Sequence, residues 1–220
     1  MFAHLQDYMT FKAPNSHDRV SFNYSLVHLK RGMFLSAGSD KKLKIWIPGK
    51  SQSPNYLGQL EEDYPVSNLQ IFGSQSKKQK DDELQVIYTC GQYIKLLSFK
   101  TLTSMIVYKN LKEITAMCIV KQNTHLISFG TTSGAIKEFD MKTKKIVRSQ
   151  SQRHKTAITS ITSFGKFLIS CSSADNLVIV YNYQSQEEHC AISLDHTDVN
   201  QGVEEDEKPC ALCCFKDHVS

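Results

Sequence analysis

The sequence predicts an all-β chain built from repeated four-stranded units. Three observations carry that reading. Short runs rich in Val, Ile, Leu, Phe and Thr alternate with clusters of Gly, Ser, Asn, Asp and Lys, and helical periodicity is weak, which is the signature of many short strands. Four segments share one pattern: an apolar run, a short polar turn, then an alternating run that closes on a large apolar or aromatic residue. The closing residues stand at positions 46, 97, 139 and 181, a spacing in the range of one blade of a β-propeller.

Taken in order, the first unit runs Phe34-Leu35-Ser36-Ala37-Gly38-Ser39-Asp40 and leads to Leu43-Lys44-Ile45-Trp46. The second runs Val86-Ile87-Tyr88-Thr89-Cys90-Gly91 and leads to Ile94-Lys95-Leu96-Leu97. The third runs Leu126-Ile127-Ser128-Phe129-Gly130 and leads to Ile136-Lys137-Glu138-Phe139. The fourth runs Leu168-Ile169-Ser170-Cys171-Ser172 and leads to Val178-Ile179-Val180-Tyr181. The intervals between closing residues are 51, 42 and 42. The long one contains the polar stretch 73–83, and removing about nine of its residues restores the period. Each unit has an earlier strand, beginning near Val20, Val66, Ile114 and Ile158, and residues 209–215 offer a fifth. Later strands follow, as at Leu102 to Tyr108 and Lys145 to Ser149. Four strands in ~40–45 residues make one propeller blade. The reading divides residues 1–220 into repeats at approximately 12–56, 57–110, 111–152, 153–195 and 196–220, the last one partial.

In these features the chain resembles the WD40-repeat (transducin beta-like) family of β-propellers. Asp40 lies six residues before Trp46 and Asp175 six before Tyr181; Ser36 lies four before Asp40; His17 and His154 precede the first strands of units one and four, and His196 follows His154 by 42 residues. The resemblance implies a structural His–Ser–Asp–Trp tetrad on His17, Ser36, Asp40 and Trp46. In unit four it falls on His154, Cys171, Asp175 and Tyr181, with a thiol in place of the hydroxyl. Units two and three lack the acidic turn residue, and no closing residue forms the usual Trp-Asp pair, since Ile47, Ser98, Asp140 and Asn182 follow the four of them. The chemistry of such a set is sound, because a buried imidazole and indole both need hydrogen-bond partners and a turn carboxylate can accept from free backbone amides. A propeller closes on itself, so the sequence further predicts an incomplete propeller, part of a longer chain.

Composition sets the functional frame. With 26 Lys+Arg against 22 Asp+Glu and 40% apolar residues, the chain reads as an ordinary globular one, with no apolar stretch near the ~20 residues that span a bilayer. The start has no basic n-region followed by an apolar core, so no secretory signal is expected. Seven cysteines at irregular spacing read as reduced thiols of the cytoplasm or nucleus rather than a disulfide framework. Cys210, Cys213, Cys214 and His218 have spacings that suit zinc, yet the repeat register makes residues 209–215 an inner strand, where small thiols pack well. No phosphate loop, nucleophile elbow or metalloprotease motif occurs. No catalytic, cofactor-binding or metal site is therefore expected, and His154 with Asp175 is assigned to blade structure. Charge is uneven: six acids, among them Asp198, Glu204, Glu205, Asp206 and Glu207, fall between 195 and 207 without a Lys or Arg. With Lys41 and Lys42 they are candidate partner-facing residues. Lysines in other turns could meet RNA phosphates.

The functional expectation is a non-catalytic scaffold for proteins of a multi-subunit complex, with no membrane partner, small-molecule substrate or cofactor. A narrower alternative, implied by resemblance alone, is a tandem-propeller component of the small-subunit processome, the U3 ribonucleoprotein of the nucleolus. A zinc-binding or enzymatic site at the C-terminal Cys/His cluster is a further alternative.

Overall fold

The structure, a computed structural model, describes residues 23–29, 33–47, 55–73, 84–99, 101–151, 153–185 and 187–193. His17, the acidic run 195–207, His196, the 209–215 strand and the C-terminal Cys/His cluster lie outside the described residues, as does most of the 73–83 insertion.

Among the described residues sixteen strands make four antiparallel four-stranded sheets, and there is no helix. The first sheet has β1 (Asn23–His28), β2 (Phe34–Gly38), β3 (Lys42–Ile47) and β4 (Asn55–Glu61) in chain order. The second has β5 (Val66–Phe72), β6 (Gln85–Cys90), β7 (Tyr93–Ser98) and β8 (Thr103–Lys109). The third has β9 (Ile114–Ile119), β10 (Leu126–Thr131), β11 (Ile136–Asp140) and β12 (Lys145–Gln150), and the fourth has β13 (Ser160–Phe164), β14 (Phe167–Ser172), β15 (Leu177–Asn182) and β16 (Glu187–Ser193). These are repeated blades of the predicted kind, and Val66 and Ile114 open strands as the sequence suggests.

Burial explains why the sequence takes this form. The second strand of each sheet is buried almost throughout; β10 is covered at all six residues. A strand covered on both faces reads as a continuous apolar or small-residue run, which is how Leu126 to Thr131 reads. The fourth strands are exposed, β16 at every residue, and they mix apolar residues with Lys, Glu and Gln.

The chain divides into two compact units, 1–69 and 70–220. In the first, Leu35, Ala37, Leu43 and Trp46 of the sheet are buried. The Leu69 amide donates to Ser25 Oγ at 2.9 Å. In the second unit, the third sheet is packed on both faces. Ile87, Ile94 and Leu96 of the second sheet meet Met117, Ile127, Phe129 and Phe139. On the other side Ala116, Cys118 and Ile136 meet Ile158, which leads into β13, and Ile161, Leu168 and Tyr181 of the fourth sheet. Polar stitches join the innermost strands. Gln70 donates through Nε2 to Met117 O at 2.8 Å and accepts from the Ile119 amide at 2.9 Å. Ser163 Oγ accepts from the Lys121 amide at 3.1 Å and donates to Ile119 O at 3.2 Å. β10 comes close to the segment that leads into β13 at Gly130, where a Cβ would stand 2.6 Å from the Ile158 side chain.

Candidate functional site

His154 sits at the centre of the fourth sheet's polar cluster. It lies in the segment between β12 and β13 and is 1% exposed. Its amide donates to Gly134 O at 3.1 Å, anchoring that segment to the β10–β11 turn. Its Nε2 is 2.9 Å from Ser170 Oγ, and its Nδ1 is 3.6 Å from Asp175 Oδ2. The latter contact is electrostatic rather than a hydrogen bond. Asp175 is held by donors: Oδ2 accepts from the amides of Lys155 at 2.7 Å and Thr156 at 3.2 Å, and Oδ1 accepts from Thr156 Oγ1 at 2.8 Å. Thr156 Oγ1 also lies 2.6 Å from Ser172 Oγ.

The electrostatics follow from this geometry. Burial pushes the His154 pKa down, and the Asp175 charge only partly opposes it. Burial pushes Asp175 up, but the Thr156 hydroxyl, the Thr156 and Lys155 amides and His154 together outweigh it, and the carboxyl ends below its ordinary value. A neutral imidazole facing a carboxylate is the outcome. Ser170, His154 and Asp175 share the composition of an acyl-transfer triad. Ser170 and His154 are nevertheless sealed, each 1% exposed, so no substrate carbonyl reaches the hydroxyl. What the arrangement does is tie three chain segments together, with the His154 Nδ1 held by the Asp175 charge rather than by a hydrogen bond.

Cys171 does not take the hydroxyl's place beside His154, contrary to the spacing-based expectation. Ser170 does, and Cys171 lies on the other face with its sulfur 3.4 Å from Thr159 Oγ1. Turn length is the reason. Three residues separate β2 from β3, but four separate β14 from β15. Counting four back from Asp175 therefore lands one residue late and on the wrong face. The pairing register gives the right equivalence: Phe34 opposes Trp46 with Ser36 two residues on, and Leu168 opposes Tyr181 with Ser170 two residues on.

In the first sheet the Trp46 indole donates to Ser36 Oγ at 2.9 Å. Asp40 Oδ1 accepts from the Lys42 amide at 3.2 Å, and Lys44 Nζ reaches Asp40 Oδ2 at 3.1 Å. Lys41 is exposed at the turn with φ 61°, and Lys42 is half-buried at the start of β3. The same register position carries different chemistry in the middle sheets. Tyr88 with Leu97, and Phe129 with Phe139, stand where Ser36 with Trp46 do, and all four are buried. Tyr108 packs its ring on both phenylalanines, with centroids 5.7 and 4.9 Å away.

The position of His154 has equivalents that the histidine pattern misses. Asn110 donates its amide to Gln92 O at 2.9 Å, and Glu62 donates its amide to Lys41 O at 2.8 Å, as His154 does to Gly134. Each stands four residues before Val66, Ile114 or Ile158, a signal readable from spacing once the residue type is ignored. Asn110 Oδ1 accepts from Lys137 Nζ at 2.9 Å, so a lysine–amide pair serves the third sheet. Between the third and fourth sheets Glu138 is buried opposite Arg148, with Oε2 and Nη1 3.3 Å apart. Burial raises its pKa and the Arg148 charge works against that rise. Among the described residues no group of three or more His, Cys, Asp or Glu could hold a metal ion.

A family model for the WD domain, G-beta repeat, matches residues 145–182. This span runs from β12 through β15 and includes His154, Ser170, Asp175 and Tyr181. The chain carries a WD40 repeat. Its four-stranded antiparallel sheets recur as they do in a WD40 propeller. Among solved structures, the chain is similar to the computationally designed Ika8 protein, at 19% identity and a TM-score of 0.58. The match covers 81% of this chain and 49% of that one, so the chain spans about half the length of the designed protein. No curated protein matches it.

Proposed function

We propose that this WD40-repeat chain is a non-catalytic scaffold that holds proteins together in a multi-subunit complex. The observation that supports it is a WD40 repeat set in stiff sheets whose polar cluster is spent on internal bracing. Short turns on such strands present fixed surfaces, which suits docking. Fold alone does not assign an activity, and the sealing of Ser170 and His154 argues against hydrolysis at that cluster. Cysteine usage points the proposal to the cytoplasm or nucleus.

Affinity capture of the full-length tagged protein from its native cells tests it. Stoichiometric co-purifying proteins are expected, with cross-links to turn residues. Recovery of the protein alone under mild salt overturns the proposal. The narrower processome reading, with RNA contact, rests on resemblance and predicts co-purification of U3 RNA; its absence from the captured material removes that reading.

A further inference from the structure

In an antiparallel sheet the first and third connections lie at the same end. In the third and fourth sheets these are residues 120–125, 141–144, 165–166 and 183–185. They form one connected surface rather than four separate loops. The Met141 amide donates to His125 O at 2.9 Å, and the Tyr183 amide to Lys166 O at 3.1 Å. Between the two sheets, Gln184 Nε2 donates to Gln122 Oε1 at 3.3 Å, and the Tyr183 hydroxyl donates to the same oxygen. The Lys121 amide is fixed on Ser163 Oγ.

This surface carries Lys121, Lys142, Lys144, Lys145 and Lys166, all exposed. The acid within it, Asp140, is turned to its own backbone: Oδ1 accepts from the Lys142 amide at 2.7 Å. Glu187 and Glu188 begin β16 just beyond, and Glu188 is engaged by Arg153 at 3.1 Å. An apolar group completes the surface. Phe164 is 40% exposed at the end of β13, beside the turn that bears Lys166. The ring of its cross-strand partner Phe167 is occupied by Lys166, 5.5 Å above it, and by His189 at 5.0 Å.

We propose that this surface docks an acidic polypeptide segment that carries an apolar side chain, with carboxylates on the lysines and the apolar group on Phe164. The inference rests on the scaffold reading and names the chemistry of one of its partners. Five clustered lysines outnumber the neighbouring acids, of which Asp140 and Glu188 are already engaged within the chain, so the surface attracts an anionic segment. A single-stranded nucleic acid also meets lysines, but it gains its affinity by stacking on successive aromatic faces. Here the exposed ring is Phe164, since Phe167 is already covered. β16 leads the chain away from this surface over its seven residues, about 23 Å at the rise of a strand.

The test is fluorescence anisotropy with the full chain and three labelled probes: a Glu/Asp dodecapeptide with a central Leu, its Gln/Asn analogue, and an oligouridylate of equal length. The acidic peptide should bind best, with affinity falling as salt rises. The doubles Lys142→Glu/Lys144→Glu and Lys121→Glu/Lys166→Glu should each weaken it about tenfold. Lys109→Glu/Lys112→Glu, away from these turns, should change it less than about twofold. Phe164→Ser should erase the advantage of the peptide's Leu over Ala. Equal binding of parent and doubles, tighter binding of the oligouridylate, or peptide binding that appears only when the acids of 195–207 are replaced by amides, overturns the proposal. Partners that are captured from cells but remain bound to both doubles leave the scaffold reading standing and refute this surface.

Discussion

Burial holds the His154 imidazole below its ordinary pKa, with Asp175 pulling the other way. The folded chain therefore binds fewer protons at this site than the unfolded one. Its stabilising contribution is complete above the unfolded value of about 6.5 and is lost as pH falls toward the depressed folded value. Asp175, also lowered, adds stability that is present above its ordinary value and disappears in stronger acid. Glu138 has the opposite sign, because its raised pKa makes the ionised form costly as pH increases. The useful measurement is thus a difference. The urea midpoint of the parent should fall from about pH 7.5 to about pH 5.5 by more than that of His154→Gln. At the higher pH, Ser170→Ala should cost about 2 kcal/mol by leaving the ring nitrogen unpartnered, whereas Cys171→Ser should leave the His154 contact intact. Legibility at this scale was partial. His154 and Asp175 stand out from the sequence because their types and spacing are unusual. Ser170 does not, since the choice between it and Cys171 depends on a turn that gained one residue, which apolar patterning cannot count.

Strands are more legible than side-chain contacts, because burial on two faces writes itself into composition. The runs at 86–90 and 126–130 are apolar because β6 and β10 have neighbours on both sides. Asn110 and Glu62 do not stand out in the sequence because the shared contact is made by their backbone amides, and an amide leaves no trace in residue type. Two turns give direct tests. Gly134 has φ 73°, and a Cβ there would lie 2.0 Å from the His154 carbonyl oxygen. Gly134→Ala should destabilise by about 3 kcal/mol or more, through strain and displacement of the anchored segment. Leu102 has φ 52° and an exposed side chain at the end of the β7–β8 turn. Leu102→Asn should stabilise by up to about 1 kcal/mol, because Asn tolerates the left-handed region and little burial is lost. Both are read from denaturant midpoints at constant slope.

Across the second unit, stability should be graded from inner to outer strands. Amide hydrogen exchange is expected to be slowest in β6 and β10 and fastest in β8, β12 and β16, which lie at sheet edges. Gly130→Ala should raise exchange in β10 and β13 together, since the added methyl meets Ile158 two residues before β13. Uniform protection across all four strands would contradict that gradient. The interchange of Ser36 with Trp46 for Phe129 with Phe139 at one register position carries a broader lesson. Neighbouring copies of one architectural unit can be fastened by a polar latch or by an aromatic wedge, and the backbone path is the same. A copy that exchanges latch for wedge gives up one hydrogen bond for ring contacts and keeps its strand order and register. Sameness of form across the four sheets is therefore carried by strand order and pairing, and residue type is free to vary beneath it.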